Sequence, residues 1–418
     1  MLEIRTQAQL DAFVNNGNGI ATTDTLIRIY PCEDNVDYYT LACPIKISAS
    51  NITIEGIGRT RIKSIMTGSV QLTHSMIVVA SGVASSLANN LENIIIRNLN
   101  LIGNGATGGV SGIYVTNCGW DYIASTNTGS HSWFNSASNG ITSKQIKYGV
   151  AIENCEISMQ KTTGITFDGC SYCEITECSI HDNLSYGIHV VNTCMSIFIT
   201  NNQVMSNTGV AIYVTTNPHN ITIIGNHVCS NANTAIYVNG TPSHVIISEN
   251  IISNNTHQAI ASNSTIYGLI CSENSATNNN NNGIYITGAI GTISANMVEN
   301  NNGTGIVISG SFVAMIGNNC LANNGSGILI SSTDTDALVG NICSNNANHG
   351  ICLSGGCTGV MLFANMGYYN NMRGIYLQSA SNNQCNVYSN LTEGNTIAGF
   401  TSDGGSGNVA DNAKNSWI

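Results

Sequence analysis

The sequence predicts an all-β fold, a single right-handed parallel β-helix, from three columns of residues that recur in register. Two columns are asparagine, five residues apart, and the third is isoleucine, usually preceded by glycine or alanine. Members of each column follow one another at 22 to 25 residues, a period typical of a solenoid. The first column is Asn202, Asn226, Asn250, Asn274, Asn296, Asn318, Asn341, Asn365 and Asn390. The second is Asn183, Asn207, Asn231, Asn255, Asn279, Asn301, Asn323, Asn346, Asn370 and Asn395. The third is Ile165, Ile188, Ile212, Ile236, Ile260, Ile284, Ile306, Ile328, Ile351 and Ile375, closed by Phe400.

The residues between the columns favour strands over the helical segments of a leucine-rich repeat. The consensus Asn-x-Val-x-x-Asn-x-x-x-Gly-Ile-x-Val is rich in β-branched residues and interrupted by glycine. It predicts three short strands in each coil and about 13 coils, stacked about 4.8 Å apart. In such a stack, the asparagine amides of one column can hydrogen-bond to those above and below.

We expect three regions along the chain. These are an N-terminal cap with the first strands at 1–60, the β-helix at 61–400, and a C-terminal cap or tail at 401–418.

The N-terminal cap should contain a short amphipathic helix. From residue 6 to residue 16 the pattern places Thr6 as the N-cap and Leu10, Phe13 and Val14 on one face. A helix in this position would cover the open sheet edge of the first coil.

One insertion interrupts the repeat, at about residues 118–147. It contains four large aromatic side chains, Trp120, Tyr122, Trp133 and Phe134. Long loops on a regular scaffold are commonly functional, and aromatic rings stack on apolar ligand faces such as those of sugars. The four residues are therefore candidate ligand-binding residues. The alternative is that they cover an exposed flank of the β-helix.

A second candidate surface is the position after each column isoleucine, which should point outward because strand side chains alternate. Tyrosine occupies it at Tyr213, Tyr237 and Tyr285, and His189 precedes them. This row is a candidate sugar-stacking or self-association surface. Tyrosine also has high strand propensity, so a purely structural role is the alternative.

Composition limits the partners. Only 8% of residues are charged, and the net charge of −11 argues against nucleic acid and anionic membranes. No run of 18 apolar residues is present, so no membrane span is expected. The 15 cysteines follow no disulfide or zinc pattern, and the first residues resemble no signal peptide. We therefore expect synthesis in a reducing cytoplasm, with no metal and no cofactor.

Catalysis on an acidic polysaccharide would need a proton-transfer group and a cation that neutralises the substrate carboxylate. Ten of the twelve Lys and Arg residues lie at or before Lys161, and none occurs from 162 to 372. Most of the repeat is therefore unsuited to this chemistry. The one dense polar neighbourhood, residues 150–190, supplies the fallback catalytic candidates Asp168, Glu177, His181, Asp182 and Lys161.

Two parts of the sequence carry a family resemblance. A cap helix followed by the proline-containing segment 26–31 and the Ile-x-Ile-x-Gly segment 52–56 resembles the opening of pectate-lyase-like β-helix proteins. The Gly-Ile-x-Val and Asn-x-Val-x-x-Asn units are similar to the NosD-type β-helix repeat of carbohydrate-related proteins. The resemblance implies the fold along the whole chain and does not imply an activity.

The sequence therefore predicts a rigid, non-catalytic β-helix that binds glycans or other structural proteins. A virion or phage surface component, assembled as a homotrimer, is one setting that fits such a protein. The first alternative is a polysaccharide lyase or glycoside hydrolase acting near residues 97–190. A copper-site accessory role like that of NosD is less favoured, because an export signal and a Met/His cluster are lacking.

Overall fold

The computed structural model describes most of the chain. The described residues are 1–15, 25–34, 37–42, 44–66, 75–80, 91–104, 111–116, 149–310, 312–331, 334, 336–379, 381–403, 407–410 and 416–417. They divide into two compact units, Met1–Thr222 and Ile223–Ile418, which we call the N-terminal and C-terminal units. The described residues form a right-handed parallel β-solenoid of about 14 turns, with one short helix among them. This confirms the predicted fold class and is close to the expected number of coils.

In the N-terminal unit, each complete turn contributes one strand to each of three parallel sheets. The first sheet contains Leu2–Ile4, Thr25–Ile29, Ile52–Gly56, Ile94–Arg97, Val150–Glu153, Ser171–Thr176 and Met195–Thr200. The second contains Tyr39–Leu41, Arg61–Ser64, Asn100–Ile102, Glu156–Ser158, Ser179–His181 and Gln203–Met205. The third contains Ile45–Ile47, Ile77–Ala80, Ser111–Thr116, Thr163–Asp168, Ile188–Val191 and Ile212–Val214.

The C-terminal unit repeats this three-sheet plan. Its first sheet contains Ser243–Ser248, Tyr267–Ser272, Ile290–Ser294, Phe312–Ile316, Ala337–Val339, Met361–Phe363, Asn386–Tyr388 and Val409–Ala410. The second contains His227–Cys229, Ile251–Ser253, Ser275–Thr277, Met297–Glu299, Asn319–Leu321, Ile342–Ser344, Met366–Tyr368, Leu391–Glu393 and Ser416–Trp417. The third contains Ile236–Val238, Ile260–Ser262, Ile284–Thr287, Ile306–Ser309, Ile328–Ser331, Ile351–Ser354, Arg373–Leu377 and Ala398–Ser402. The strand His219–Ile224 contains the point of division.

The predicted isoleucine column forms the inward row of the third sheet. Ile165, Ile188 and Ile212 are register partners in the N-terminal unit, and the seven later members continue in the same way in the C-terminal unit. All ten side chains are fully buried. Phe400, the register partner of Ile375, is only half-buried. Burial of aliphatic side chains is therefore the main stabilising term in each turn.

The cap helix is observed at Gln7–Asn15. Thr6 Oγ1 accepts from the Gln9 backbone N–H at 3.3 Å, and Gln9 Oε1 accepts from the Thr6 N–H at 3.1 Å, which is a capping box. Leu10 is fully buried, and Phe13 and Val14 are half-buried. These contacts confirm the predicted N-cap and apolar face.

Both asparagine columns form hydrogen-bonded ladders in the C-terminal unit. Each ladder Nδ2 donates to Oδ1 of the asparagine in the next turn, at 2.9 to 3.0 Å in the first column and 3.0 to 3.2 Å in the second. The same Oδ1 also accepts from the preceding asparagine's backbone N–H, as Asn296 Oδ1 does from Asn274. Buried amides are costly unless paired, and here they are paired.

The residue before each of these ladder asparagines has a left-handed backbone conformation. The φ angles lie between 50° and 68° at Gly225, Ser230, Glu249, Asn254, Glu273, Asn278, Ala295, Asn300, Gly317, Ala322, Gly340, Asn345, Ala364, Tyr369, Ser389 and Gly394. This conformation disfavours side chains with a Cβ, and only four of the sixteen residues are glycine. The bonds of the following asparagine offset that strain and hold the corner.

The N-terminal unit uses cysteine at part of the first ladder. The Cys155 N–H donates to Cys178 Sγ at 3.4 Å, and the Cys178 N–H donates to Asn202 Oδ1 at 2.9 Å. Asn183 Nδ2 donates to Asn207 Oδ1 at 2.8 Å in the second ladder. Of the 13 cysteines in the described part of the chain, all are free thiols and 11 are buried. The hydrogen bond with the Cys155 thiol, followed by burial, raises the pKa of the Cys178 thiol.

Candidate functional site

The second sheet of the N-terminal unit places basic and acidic side chains on one outward surface. Its strands are paired so that Arg61 lies opposite Asn100, Asn100 opposite Glu156, and Glu156 opposite Ser179. Two residues further along, Lys63 pairs with Ile102. Because side chains alternate along a strand, Ile62 between them is buried and the polar residues point outward.

These outward side chains line an open groove. One part has a volume of about 650 Å³ and is lined by Arg59, Arg61, Asn100, Glu156, Glu177 and Ser179, among others. An adjoining part of about 330 Å³ shares Arg61, Asn100 and Glu156 and adds Asp37, Tyr38 and Lys63. We call the two parts together the basic groove.

The two arginines of the groove, Arg59 and Arg61, differ in ion pairing from Arg28 and Arg97 of the same unit. Arg28 and Arg97 both bind the Glu55 carboxylate, at 3.3 and 3.1 Å. Arg59 and Arg61 are exposed and form no ion pair with another described residue. Unpaired guanidinium groups can bind carboxylates in a bidentate way.

Next to the cations, His181 lies between two carboxylates. Its Nδ1 is 2.8 Å from Asp182 Oδ2, and its Nε2 is 3.3 Å from Glu156 Oε1. Asn100 Nδ2 donates to Glu156 Oε2 at 2.7 Å, which fixes that carboxylate. A histidine held in this way can transfer protons.

The structure brings two of the five fallback catalytic candidates into contact and places a third in the lining of the basic groove. Glu177 lines the basic groove, and His181 and Asp182 are in contact. Asp168 lies instead on the third sheet, where its Oδ1 accepts from Asn192 Nδ2 at 2.5 Å. Lys161 lies in the turn between Glu156–Ser158 and Thr163–Asp168.

Sequence analysis did not select Arg59, Arg61, Lys63 or Asn100 as site residues. The pattern Arg61-Ile62-Lys63, in which two cations flank an apolar residue, indicates a strand with an outward basic pair. No such signal exists for the register that brings Arg61 near Glu156, because 94 less regular residues lie between them.

The third sheet of the N-terminal unit carries an aromatic cluster. Tyr186 lies 4.9 Å from His189 and 5.1 Å from Tyr213 between ring centroids, and His189 stacks on Tyr213 at 5.2 Å. Burial lowers the pKa of His189 to about 4, although Asp168 opposes the shift. His189 is therefore neutral at pH 7, and its ring is part of an uncharged stacking surface.

Of the remaining predicted binding residues, two lie in the C-terminal unit and four lie outside the described residues. Tyr237 and Tyr285 lie on the third sheet of the C-terminal unit, two turns apart with Ala261 between them. Tyr237 Oη accepts from Asn263 Nδ2 at 3.0 Å. The insertion residues Trp120, Tyr122, Trp133 and Phe134 lie outside the described residues, so their role in binding stays a prediction.

The described residues contain neither a metal-binding cluster nor a membrane-spanning helix. No group of three or more His, Cys, Asp or Glu side chains is arranged to hold a metal ion there. No helix in the described ranges is long and apolar enough to cross a membrane.

The parallel three-sheet turns and the asparagine ladders define the class of right-handed parallel β-helix proteins. The family model described as "Right handed beta helix region" matches residues 145–289 and 269–414, more than half of the chain. The chain therefore belongs to this family, as the resemblance to pectate-lyase-like proteins implied. The comparison with curated protein sequences found no match.

Two solved structures show the same fold. The A-module of Azotobacter vinelandii mannuronan C-5 epimerase AlgE4 is 18% identical, with a TM-score of 0.57 over 87% of this chain and 91% of that chain. Tailspike protein 3 of bacteriophage CBA120 is 11% identical, with a TM-score of 0.54 over 98% of this chain. This chain spans 57% of the tailspike protein's length. At these identities the likeness concerns the fold alone.

Proposed function

We propose that the protein is a rigid, non-catalytic β-helix that binds an acidic glycan in the basic groove of the N-terminal unit. The observation that carries the proposal is the presence of Arg59, Arg61 and Lys63 along one open groove. The two arginines have no ion-pair partner among the described residues, so their charge is available to a ligand.

The shape and lining of the groove suit a polysaccharide. Its two adjoining parts share Arg61, Asn100 and Glu156 and follow the stacked strands of one sheet. Guanidinium and ammonium groups recognise uronate carboxylates, while Asn100 and Ser179 offer hydrogen bonds to hydroxyl groups. The three cations of the groove are matched in number by the carboxylates of Glu156, Glu177 and Asp37, so the lining has no formal net charge. This balance favours selective contacts over general attraction of polyanions.

The named relatives support a glycan as the ligand. The AlgE4 module is named for mannuronan, a polyuronate, and it shares the fold over most of both chains. We further propose that the β-helix is a surface component of a virion, which the fold shared with the tailspike protein supports. The aromatic cluster of Tyr186, His189 and Tyr213 supplies a neutral stacking surface for further sugar units.

We expect Arg61→Gln to weaken binding of polymannuronate or polygalacturonate roughly ten- to hundredfold, the cost of one charge-assisted hydrogen-bonded contact. Binding would be measured by isothermal titration calorimetry at two salt concentrations, and affinity should fall as salt rises. Lys46→Gln is the matched control, because Lys46 is an exposed strand cation on the third sheet of the same unit.

Equal loss in both variants would indicate only a general charge effect and contradict a specific groove. Absence of binding to any acidic glycan by the unchanged protein would also overturn the proposal. Binding to neutral glycans that Arg61→Gln does not alter would move the site elsewhere.

A second candidate function is a polysaccharide lyase or hydrolase at the same place. The observation that favours it is the position of His181 between Glu156 and Asp182, beside the cations of the groove. A lyase needs a base near the acidic carbon of a uronate and a cation at its carboxylate, and a hydrolase needs paired carboxyl groups.

Under the binding proposal, we expect the protein to release no product from polymannuronate, polygalacturonate or neutral polysaccharides. Ultraviolet absorbance would detect unsaturated lyase products, and a reducing-end assay would detect hydrolysis. If product were formed, lost in the His181→Ala variant and retained in the Asp168→Asn variant, the protein would be an enzyme and the binding proposal would be wrong. Asp168 is the matched choice because it is an acidic candidate on another sheet.

A further inference from the structure

The first sheet of the C-terminal unit exposes a group of large apolar side chains. Seven of them are 41% to 54% exposed, where outward strand residues facing water are expected to be polar. They are Tyr267, Ile270, Ile290, Phe312, Ile316, Met361 and Phe363.

Strand register makes these side chains contiguous. Tyr267, Ile290 and Phe312 follow one another in three successive strands. At the opposite end of the strands, on the same outward surface, Ile316 and Phe363 lie in one row with the half-buried Val339 between them. The outward surface is therefore mostly apolar, interrupted by Thr292 in the row of Ile270 and by Ser294 in the row of Ile316, and we call it the apolar face.

The apolar face carries no charge. The seven strands from Ser243–Ser248 to Asn386–Tyr388 in this sheet contain no Asp, Glu, Lys or Arg. The first sheet of the N-terminal unit is different, because Arg28, Glu55 and Arg97 form a row of ion pairs on its outer surface. The same position in the turn is thus solvated by charged groups in one unit and apolar in the other.

We propose that the apolar face binds the apolar face of a second copy of this chain. At about half exposure, the seven side chains present roughly 600 Å² of apolar surface, taking 150–250 Å² for a large side chain. A stable interface buries about 800 Å² on each partner, and the flanking alanine, valine and tyrosine side chains supply much of the difference. An apolar area of this size is at the upper end of what monomeric proteins expose, and such areas are often interaction sites.

Charge does not oppose a second copy as the occupant of this face, because its strands contain no Asp, Glu, Lys or Arg. Each chain has a net charge of −11, so two copies repel one another wherever acidic surfaces meet. At the apolar face, this repulsion is smallest and the gain from apolar burial is largest. The strands of the face also offer no charged groups that could select a different partner. A symmetric dimer requires only that the same surface on two copies fits together.

The test is the oligomeric state of the full chain and of charged variants. Sedimentation velocity or light scattering after size exclusion, over a range of concentrations, should show an oligomer for the unchanged protein. Phe312→Lys and Ile270→Lys should each raise the dissociation constant by at least about tenfold, because each buries an unpaired ammonium group in the interface. Two variants are used so that loss of folding in one, detected by circular dichroism and melting temperature, leaves the other informative.

Ile251→Lys is the matched control. Ile251 is an isoleucine with 56% exposure in the same unit, but it lies on the second sheet. The Ile251→Lys variant should associate with the same dissociation constant as the unchanged protein. A monomeric unchanged protein at all concentrations, or charged variants that associate normally, would overturn the proposal. Glycan binding through Arg61 would be unaffected by either result, since that residue lies in the N-terminal unit.

Discussion

Replacing Asn296 by Leu should destabilise the C-terminal unit by about 2–6 kcal/mol, because two buried backbone groups lose their partners at about 1–3 kcal/mol each. The Asn274 N–H donates to Asn296 Oδ1, and the Cys271 carbonyl accepts from Asn296 Nδ2. Leucine has similar volume and offers neither bond. The free energy of unfolding would be measured by urea denaturation followed by circular dichroism.

Asn302→Leu is the control for this substitution. Asn302 is exposed, and its amide bonds Asn280 and Asn324 on the surface of the same unit. Its replacement should change stability by less than about 0.5 kcal/mol, as is usual for surface positions. If the two leucine variants were equally stable, the buried ladder would have no energetic role.

The second large effect is expected at Phe167, which should lose about 3–5 kcal/mol of stability on replacement by alanine. Phe167 is fully buried and is the register partner of Val115 and Val190 in the third sheet of the N-terminal unit. Removing the ring leaves a cavity between close-packed turns that the paired backbones cannot close by shifting.

Phe198→Ala provides the comparison, since Phe198 occupies an outward, half-buried position in Met195–Thr200. We expect it to cost less than half as much. Hydrogen exchange would locate the damage, and faster exchange should be concentrated in the strands of residues 111–116, 163–168 and 188–191. Equal losses from both variants would contradict the inward assignment of Phe167.

The columns could be predicted from sequence because they depend on period alone. Every turn repeats the same inward isoleucine and corner asparagines, so residues such as Asn296 and Ile306 identify their own positions. The basic groove could not be predicted in this way. Arg61 and Lys63 belong to early turns of irregular length, and their approach to Glu156 depends on strand pairing across residues without a clear repeat.

The apolar face was missed for another reason. Ile270 and Phe312 are strand residues with high β propensity, and sequence patterns assign such residues to a core. Only the alternation with the buried Leu269, Cys271 and Val313 establishes that they point outward. An apolar residue at an outward position can be recognised once the register is fixed, and the register is a property of the fold.

The ladders of the C-terminal unit also have a direction. From Asn226 to Asn390, every side-chain amide donates to the asparagine that follows it and none donates to the one before. The amide dipoles are therefore aligned head to tail, and each bond polarises the next. Rotating one side-chain amide by 180° would place its Nδ2 against the Nδ2 of the preceding asparagine. It would also place its Oδ1 against the Oδ1 of the following asparagine. The orientation of one amide is thus transmitted through eight turns, and the ladder gives the stack a polarity like that of an α-helix.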